Sequence, residues 1–374
     1  MKECRNIPLF QPVWNKVTEE AALAVMRSGQ IASGPLVGEF ERKFGDLTGR
    51  DHVVSTNDMT SALVLALKLS DVKPGDQVAT LAFSCLSTNA AIAMVGATPL
   101  WIDIDPASMS MNRNDLNSKI SKNTKAVIAY HVSGYPSAMD EISRICSELG
   151  VPLIEDCDNA LGGKYADVPL GKFGDFAIFS LYPNRQINGI EGGVLLCPSE
   201  EVAIRAKKLR RFGIDYSTFR DERGEINPAS DVPEIGYSAP LNQLNAAVAM
   251  SQIDSFESRL SISKINAKFI GEELQSVTGL SLVEPVSNGT SAYWTLLMHF
   301  VNRDDAMAKL KASGVSCSIL HCRNDIYTGF GTQITNLPGT DYVMKNLLAL
   351  PCGWWLKDED LNYIVCAIKE AVRF

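Results

Sequence analysis

Three stretches of the chain carry residue types and spacings that could do chemistry. Ile154-Glu155-Asp156-Cys157-Asp158-Asn159 places three acids at the end of an apolar run that reads as a strand. The spacing fits a helix cap or a solvated turn. It fits equally an Asp156 that faces a ligand nitrogen, where a carboxylate would keep a pyridine ring protonated. Asn57-Asp58-Met59-Thr60-Ser61-Ala62 leaves a second strand and opens a helix. Thr60 and Ser61 can cap that helix, and their hydroxyls and amides could also receive a phosphate at its N-terminus. In the third stretch, Phe179 to Gln186 followed by Ile190 to Val194, a strand-end serine (Ser180), a proline turn, the cation Arg185 and a glycine pair make an anion site. Each signal alone is weak, and their order and spacing together are not.

Such groups need a scaffold that brings strand ends together. The recurring unit is a short apolar run, a turn and a helix-length periodic segment. Strands are expected at Asp51–Thr56, Gln77–Leu81, Thr98–Asp103, Thr124–Tyr130, Pro152–Glu155 and Asp175–Ser180, with helices at Thr60–Ser70, Ser87–Val95 and Met139–Leu149. This alternation predicts an α/β fold with a largely parallel sheet covered on both faces. Parallel sheets place ligands beyond the carboxyl ends of their strands, where all three stretches fall. From about Ser251 the texture changes. A long charged helix (Ser251–Ser276), strands near Leu280–Val283 and Thr295–Val301, a helix at Arg303–Ser313, two short strands around Val315–Leu320 and a last helix (Asp358–Val372) suggest a smaller α+β body. The expected division is a large domain at residues 1–250 and a small C-terminal domain at 251–374.

Composition sets the outer bounds. The 374 residues are 46% apolar and 21% charged, as expected of a globular protein with a sizeable core. The formal charge of −8 gives the chain no electrostatic reason to seek nucleic acid or an anionic membrane. Nine cysteines without CxxC spacing read as reduced thiols, and four isolated histidines offer no metal-binding pattern. No apolar stretch has the length of a membrane span or a signal peptide, so a cytoplasmic location is expected.

Taken in order along the chain, these stretches resemble the DegT/DnrJ/EryC1/StrS sugar aminotransferase family, of the type I pyridoxal 5'-phosphate (PLP) fold. Ser33-Gly34-Pro35-Leu36-Val37 with Phe40-Glu41, Lys73 to Val78, Gly96 to Asp105, Thr124 to Val127, His131, Gly134, Glu155-Asp156, Glu191-Gly192-Gly193, Glu234 to Tyr237 and Leu350-Pro351 carry the similarity nearly end to end. The resemblance implies a large domain with a mostly parallel seven-stranded sheet and a small C-terminal α+β domain. It implies a cofactor, PLP or its amine form PMP, whose pyridine nitrogen pairs with Asp156, with Asn159 near the ring hydroxyl and Thr60, Ser61 and Ser180 on the phosphate. It also implies a homodimer in which the segment Gly236 to Leu241, Ser238 included, reaches the neighbouring subunit's cofactor.

Four departures from the family pattern stand out. Arg185 occupies the position of the lysine that forms the Schiff base with PLP. A guanidinium stays protonated, with a pKa above ~12, and offers no free amine for imine formation or proton shuttling. Cys85 sits where an aromatic often stacks on the ring, Met59 replaces a usual glycine, and Ser238 and Pro240 replace the Asn and Arg of an Asn-x-Arg segment.

Three functions are compatible with this pattern. The first is a PLP-dependent aminotransferase that moves an amino group from glutamate to a keto or aldehyde sugar, of the kind used for lipopolysaccharide, O-antigen or 8-amino-3,8-dideoxy-octulosonate synthesis. Its Arg185 form would be impaired and would accumulate a PLP–substrate aldimine. The second is a lysine-less PLP/PMP sugar dehydratase, and the third a non-catalytic sensory or binding protein. Tyr182, His321 and Arg323 are the candidate sugar-binding residues. Lys207, Lys208, Arg210 and Arg211 could meet an anionic sugar, although cations near a helix C-terminus commonly complement its dipole.

Overall fold

The computed structural model describes residues 5–331 and 334–373. Cys4 lies outside the described residues, and the other eight cysteines are free thiols. Strands β1 (Val53–Thr56), β2 (Gln77–Leu81), β3 (Thr98–Ile102), β4 (Thr124–Tyr130) and β5 (Leu153–Asp156) alternate with helices. A small hairpin, β6 (Lys164–Tyr165) and β7 (Val168–Pro169), precedes β8 (Phe176–Ser180) and β9 (Gly193–Leu196). The sheet has seven strands in the order β1-β9-β8-β5-β4-β2-β3. Only β9 runs against the others, pairing antiparallel with both β1 and β8.

Two apolar layers sandwich this sheet because its strands are buried on both faces. Along β8, Ala177 and Phe179 join one cluster while Phe176 and Ile178 join the other, the period of two that a pleated strand imposes. The helix Met59–Leu69 supplies Leu63, Leu65 and Leu67, all fully buried. Truncating any one of them to alanine costs about 2–5 kcal/mol. Glu155 is buried between layers, yet it is fully paired. Its carboxylate accepts the amides of Gly171, Phe173 and Gly174 at 2.7–2.9 Å, and it lies 3.3 Å from His131 Nε2. These bonds pin the loop that leads into β8.

The second sheet contains β10 (Leu280–Leu282), β12 (Leu296–Phe300) and β13 (Leu347–Leu350), while β11 (Gly289–Thr290) pairs with β6 of the hairpin. Its core is packed by the helices Phe256–Leu274 and Asp358–Ala371, and it also takes in Ile7 from the N-terminal segment. The two short strands expected around Val315–Leu320 are absent from the described residues. Val315 and Ser318 make only isolated bridges, to Ile7 and Ala349, and Leu320 (φ 62°) turns the backbone into the left-handed region, which ends extended pairing. No described helix is long and apolar enough to cross a membrane.

Candidate functional site

The carboxyl ends of β1, β4, β5 and β8 lie along one edge of the sheet and deliver Asp58, Tyr130, Asp156 and Ser180. At β5 the chain continues as Asp156-Cys157-Asp158-Asn159, all buried. Asp156 accepts a hydrogen bond from the Thr88 hydroxyl at 2.7 Å and from the Asp158 amide at 3.1 Å. Complete burial, with Asp158 adding to it, pushes the Asp156 carboxyl up to about 7; the two hydrogen bonds and Arg185 oppose the rise.

Asp158 grips Arg185. Arg185 Nε meets Asp158 Oδ1 at 2.8 Å and Nη2 meets Oδ2 at 2.7 Å, a two-pronged pair whose side chains are 10% and 2% exposed. The guanidinium also bonds Asn184 Oδ1 and lies 4.7 Å from the centre of the Trp294 ring, a cation–π contact. Its plane is fixed from three sides.

Asn159 donates through Nδ2 to Tyr130 Oη at 3.1 Å, and Tyr130 Oη lies 3.0 Å from His321 Nε2. Burial holds the His321 imidazole down to about 4, with the Arg185 charge adding to the effect and Asp158 opposing it. Burial, with Asp158 and Asp156, raises Tyr130 well above an ordinary phenol. Tyr130 therefore remains a phenol that donates to a neutral His321. Asn159 Oδ1 is buried and has no partner among the described residues. An orphaned acceptor of this kind suits a ligand hydroxyl.

The anion end differs from expectation in one detail. Asp58 caps the helix Met59–Leu69, and its carboxylate takes both the Ser61 amide (2.7 Å) and the Ser61 hydroxyl (3.0 Å). Helix geometry leaves the first-turn amides of Met59 and Thr60 free for a ligand. Ser180 Oγ accepts the Tyr182 amide at 3.1 Å, which leaves its own proton to donate. Met59 is buried in the layer beneath. The residues at both ends fit PLP or PMP: an acid for the ring nitrogen, an acceptor for the ring hydroxyl, and hydroxyls at a helix N-terminus for the phosphate.

The remaining expected residues are scattered around this centre. Cys85 precedes the helix Leu86–Met94, half-buried and close enough to Tyr130 to act on its charge. Tyr182 is half exposed with its ring 6.0 Å from the Arg185 guanidinium. Arg323 is buried, and its guanidinium is taken by Asp325 at 2.7 Å on two atoms, by Asp341 and by the Thr335 carbonyl. Ser238 is exposed on a segment tied to its own chain through Asn57–Ala239 and Ala239–Arg210 backbone bonds. Lys207 and Arg210 pair with Glu41, and Lys208 with Asp215.

Sequence reading missed Thr88, Tyr130, Asp158 and Trp294 as parts of the site. Thr88 carried a usable signal, since Ser87-Thr88-Asn89 is a polar run at the start of a helix that is otherwise apolar. Asp158 carried one too, as an acid beside a buried strand end with a long cation downstream.

Comparison with known proteins places this geometry. The DegT/DnrJ/EryC1/StrS aminotransferase family matches residues 14–369. The UDP-4-amino-4-deoxy-L-arabinose–oxoglutarate aminotransferase of Shewanella sediminis is 27% identical over 98% of each chain. The crystal structure of the sugar aminotransferase CalS13 from Micromonospora echinospora superposes with a TM-score of 0.91 at 30% identity, covering 97% of this chain and 99% of the other. Spr1654 from Streptococcus pneumoniae, solved in its PLP form, shares the fold at 22% identity with a TM-score of 0.90, covering 98% of this chain and 99% of the other.

Proposed function

We propose, for a chain that belongs to the DegT/DnrJ/EryC1/StrS aminotransferase family, a sugar aminotransferase site that holds PLP or PMP without a covalent lysine link and does not complete amino transfer in its Arg185 form. The observation that carries this reading is the Arg185–Asp158 fork at the Schiff-base position, where the cation is immobilised and has no free amine. Bound PLP supplies the electron sink for moving an amino group between carbon atoms. The protein's residues supply the rest.

Asp156 would hold the ring nitrogen of the cofactor, and a carboxylate there would favour the protonated ring. Asn159 Oδ1 accepts the ring hydroxyl, with the Tyr130–His321 pair fixing the amide's orientation. Thr60 and Ser180 take the phosphate, and Ser61 joins them once Asp58 yields. Arg185 could not shuttle a proton, because a guanidinium stays protonated, and this one is already held by Asp158 and Asn184. Glutamate as donor and a keto or aldehyde sugar as acceptor are the substrates that this reading assigns. Residues 1–250 carry the cofactor in it and 251–374 form the smaller body. Exposed Phe212, Tyr216, Ile226, Ile235 and Tyr237 around Ser238 supply an apolar face for a homodimer.

Arg185→Lys tests the proposal. With PLP added, the lysine form should turn yellow and transfer the amino group of glutamate, while the arginine form binds PLP without the lysine-bound colour and transfers nothing. A lysine form that binds no PLP, or an arginine form that turns over as fast, would end this reading.

A further inference from the structure

On the far side of Arg185 and Trp294 the site continues into a second feature that the function above does not use. A narrow cleft opens between the N-terminal segment, the helix Phe256–Leu274 and the turn Gly353–Trp355. Its walls include Phe10, Trp294, Trp354 and Trp355. Phe10 and Trp294 stack with centroids 4.2 Å apart and planes at 21°, and Trp354 and Trp355 meet edge to face at 5.9 Å. Two arginines, Arg185 and Arg259, line it, and no Asp or Glu does.

Arg259 is the unusual member. It is 8% exposed, and no described carboxylate forms a salt bridge with it, unlike the Arg185–Asp158 pair. One terminal nitrogen donates to Ser255 Oγ; the other donates to the carbonyls of Gln186 at 2.8 Å and Gln252 at 3.3 Å. Its Nε is buried with no partner, and so is Trp355 Nε1 on the same lining. Burial lowers the guanidinium's pKa to about 10, with no acid to offset it. Both groups are costly to bury, the cation because it has no counter-ion and the donor because it has no acceptor. Both costs fall if an anion enters. The cavity is about 30 Å³. A water needs roughly 10–15 Å³ on this measure, so the space takes the two or three oxygen atoms of an acidic group while the rest of a ligand lies outside it.

We propose that this cleft is an anion subsite in which Arg259 and Trp355 hold the acidic group, carboxylate or phosphoryl, of a sugar ligand whose ring lies against the surrounding aromatic faces. The sugar rests on the function proposed above; the anion rests on Arg259 and Trp355. Arg259 also donates to the carbonyl of Gln186, the residue after Arg185, so an anion there would sit one residue from the Schiff-base position. The subsite would select acidic over neutral sugars.

Binding should be measured by tryptophan fluorescence and titration calorimetry with glucuronate, glucose 6-phosphate and glucose, with and without PLP. The unsubstituted protein should bind one or both acidic probes saturably and glucose at least tenfold more weakly; the two acidic probes separate a carboxylate from a phosphoryl preference. Arg259→Gln should weaken acidic binding by at least about tenfold, and Trp355→Phe by about threefold, in proteins shown to be folded by their melting curves. If Arg259→Gln does not fold, Trp355→Phe and competition by chloride carry the same test. No saturable binding of either acid up to about 10 mM, equal binding of glucose, or acidic binding indifferent to both substitutions overturns the subsite. Acidic binding together with an Arg185→Lys form that takes no PLP would defeat the functional reading and leave this one intact. A yellow, active lysine form without acidic binding would do the reverse.

Discussion

Arg185 and Asp158 form a two-pronged ion pair, 2.7 and 2.8 Å long, at the position that the function proposed above assigns to a cofactor lysine, and both side chains are nearly sealed from solvent. A buried charge depends on its partner more than an exposed one does. Asp158→Asn should therefore cost about 3–5 kcal/mol, because it leaves Arg185 uncompensated, whereas replacing both residues by Leu should cost much less. Urea unfolding of the three proteins checks this. A loss below about 1 kcal/mol in Asp158→Asn would mean that water reaches the pair.

The same cluster contains two groups whose pH effects oppose each other. Asp156 has a folded pKa of about 7, raised above its unfolded value near ~3.9, so the stability it contributes is full at low pH and is lost as pH rises through about 7. His321 has a folded pKa of about 4, lowered from ~6.5, so its contribution is full above that value and is lost as pH falls toward 4. Between pH 4 and 7 the two slopes offset. Asp156→Asn should make stability rise more steeply with pH than in the unsubstituted protein, and His321→Gln should make it fall. Thermal melts at half-unit pH steps would show this, and parallel curves for all three proteins would contradict it.

Much of this arrangement was legible in the residues, and the limit has a physical cause. Runs such as Thr124–Tyr130 were readable because strands buried on both faces are continuously apolar, and the order of strands and helices followed. Asp156, Thr60 and Ser180 were proposed from the sequence because strand ends and helix starts are where ligands gather, and Asn159 through the family resemblance. Asp158 and Trp294 were not, since their roles come from contact with Arg185 across 27 residues in one case and from a different part of the chain in the other. Spacing along the chain reports local geometry, while a charge partner is chosen in space. Arg323 illustrates the converse: its position suggested a ligand role, but its guanidinium is already held by Asp325 and Asp341.

Gly193 opens β9 opposite both Thr56 and Ser180, where three strand ends converge. A Cβ there would come within 2.5 Å of the Asp58 carbonyl oxygen and 2.7 Å of Thr56 Oγ1. Neither can retreat cheaply, since one is backbone and the other donates to that same carbonyl at 2.7 Å. Gly193→Ala should destabilise the protein by about 1–3 kcal/mol and shift the helix start that bears Thr60. A melting temperature within a degree of the unsubstituted protein would rule out the clash.

Asp58 occupies the helix start to which the proposed function assigns the phosphate. Its carboxylate occupies the Ser61 amide and hydroxyl, so a phosphate arriving at this helix must displace a negative charge or sit beside one. Asparagine caps helices about as well as aspartate, so Asp58→Asn should hold the fold while removing the repulsion. PLP binding should then tighten by roughly three- to tenfold, and binding of pyridoxal, which lacks the phosphate, should not change. Calorimetric titration of both compounds into both proteins separates the contributions. Equal tightening for the two ligands would place the effect on the ring, and weaker PLP binding would mean that the carboxylate helps to order the phosphate's donors.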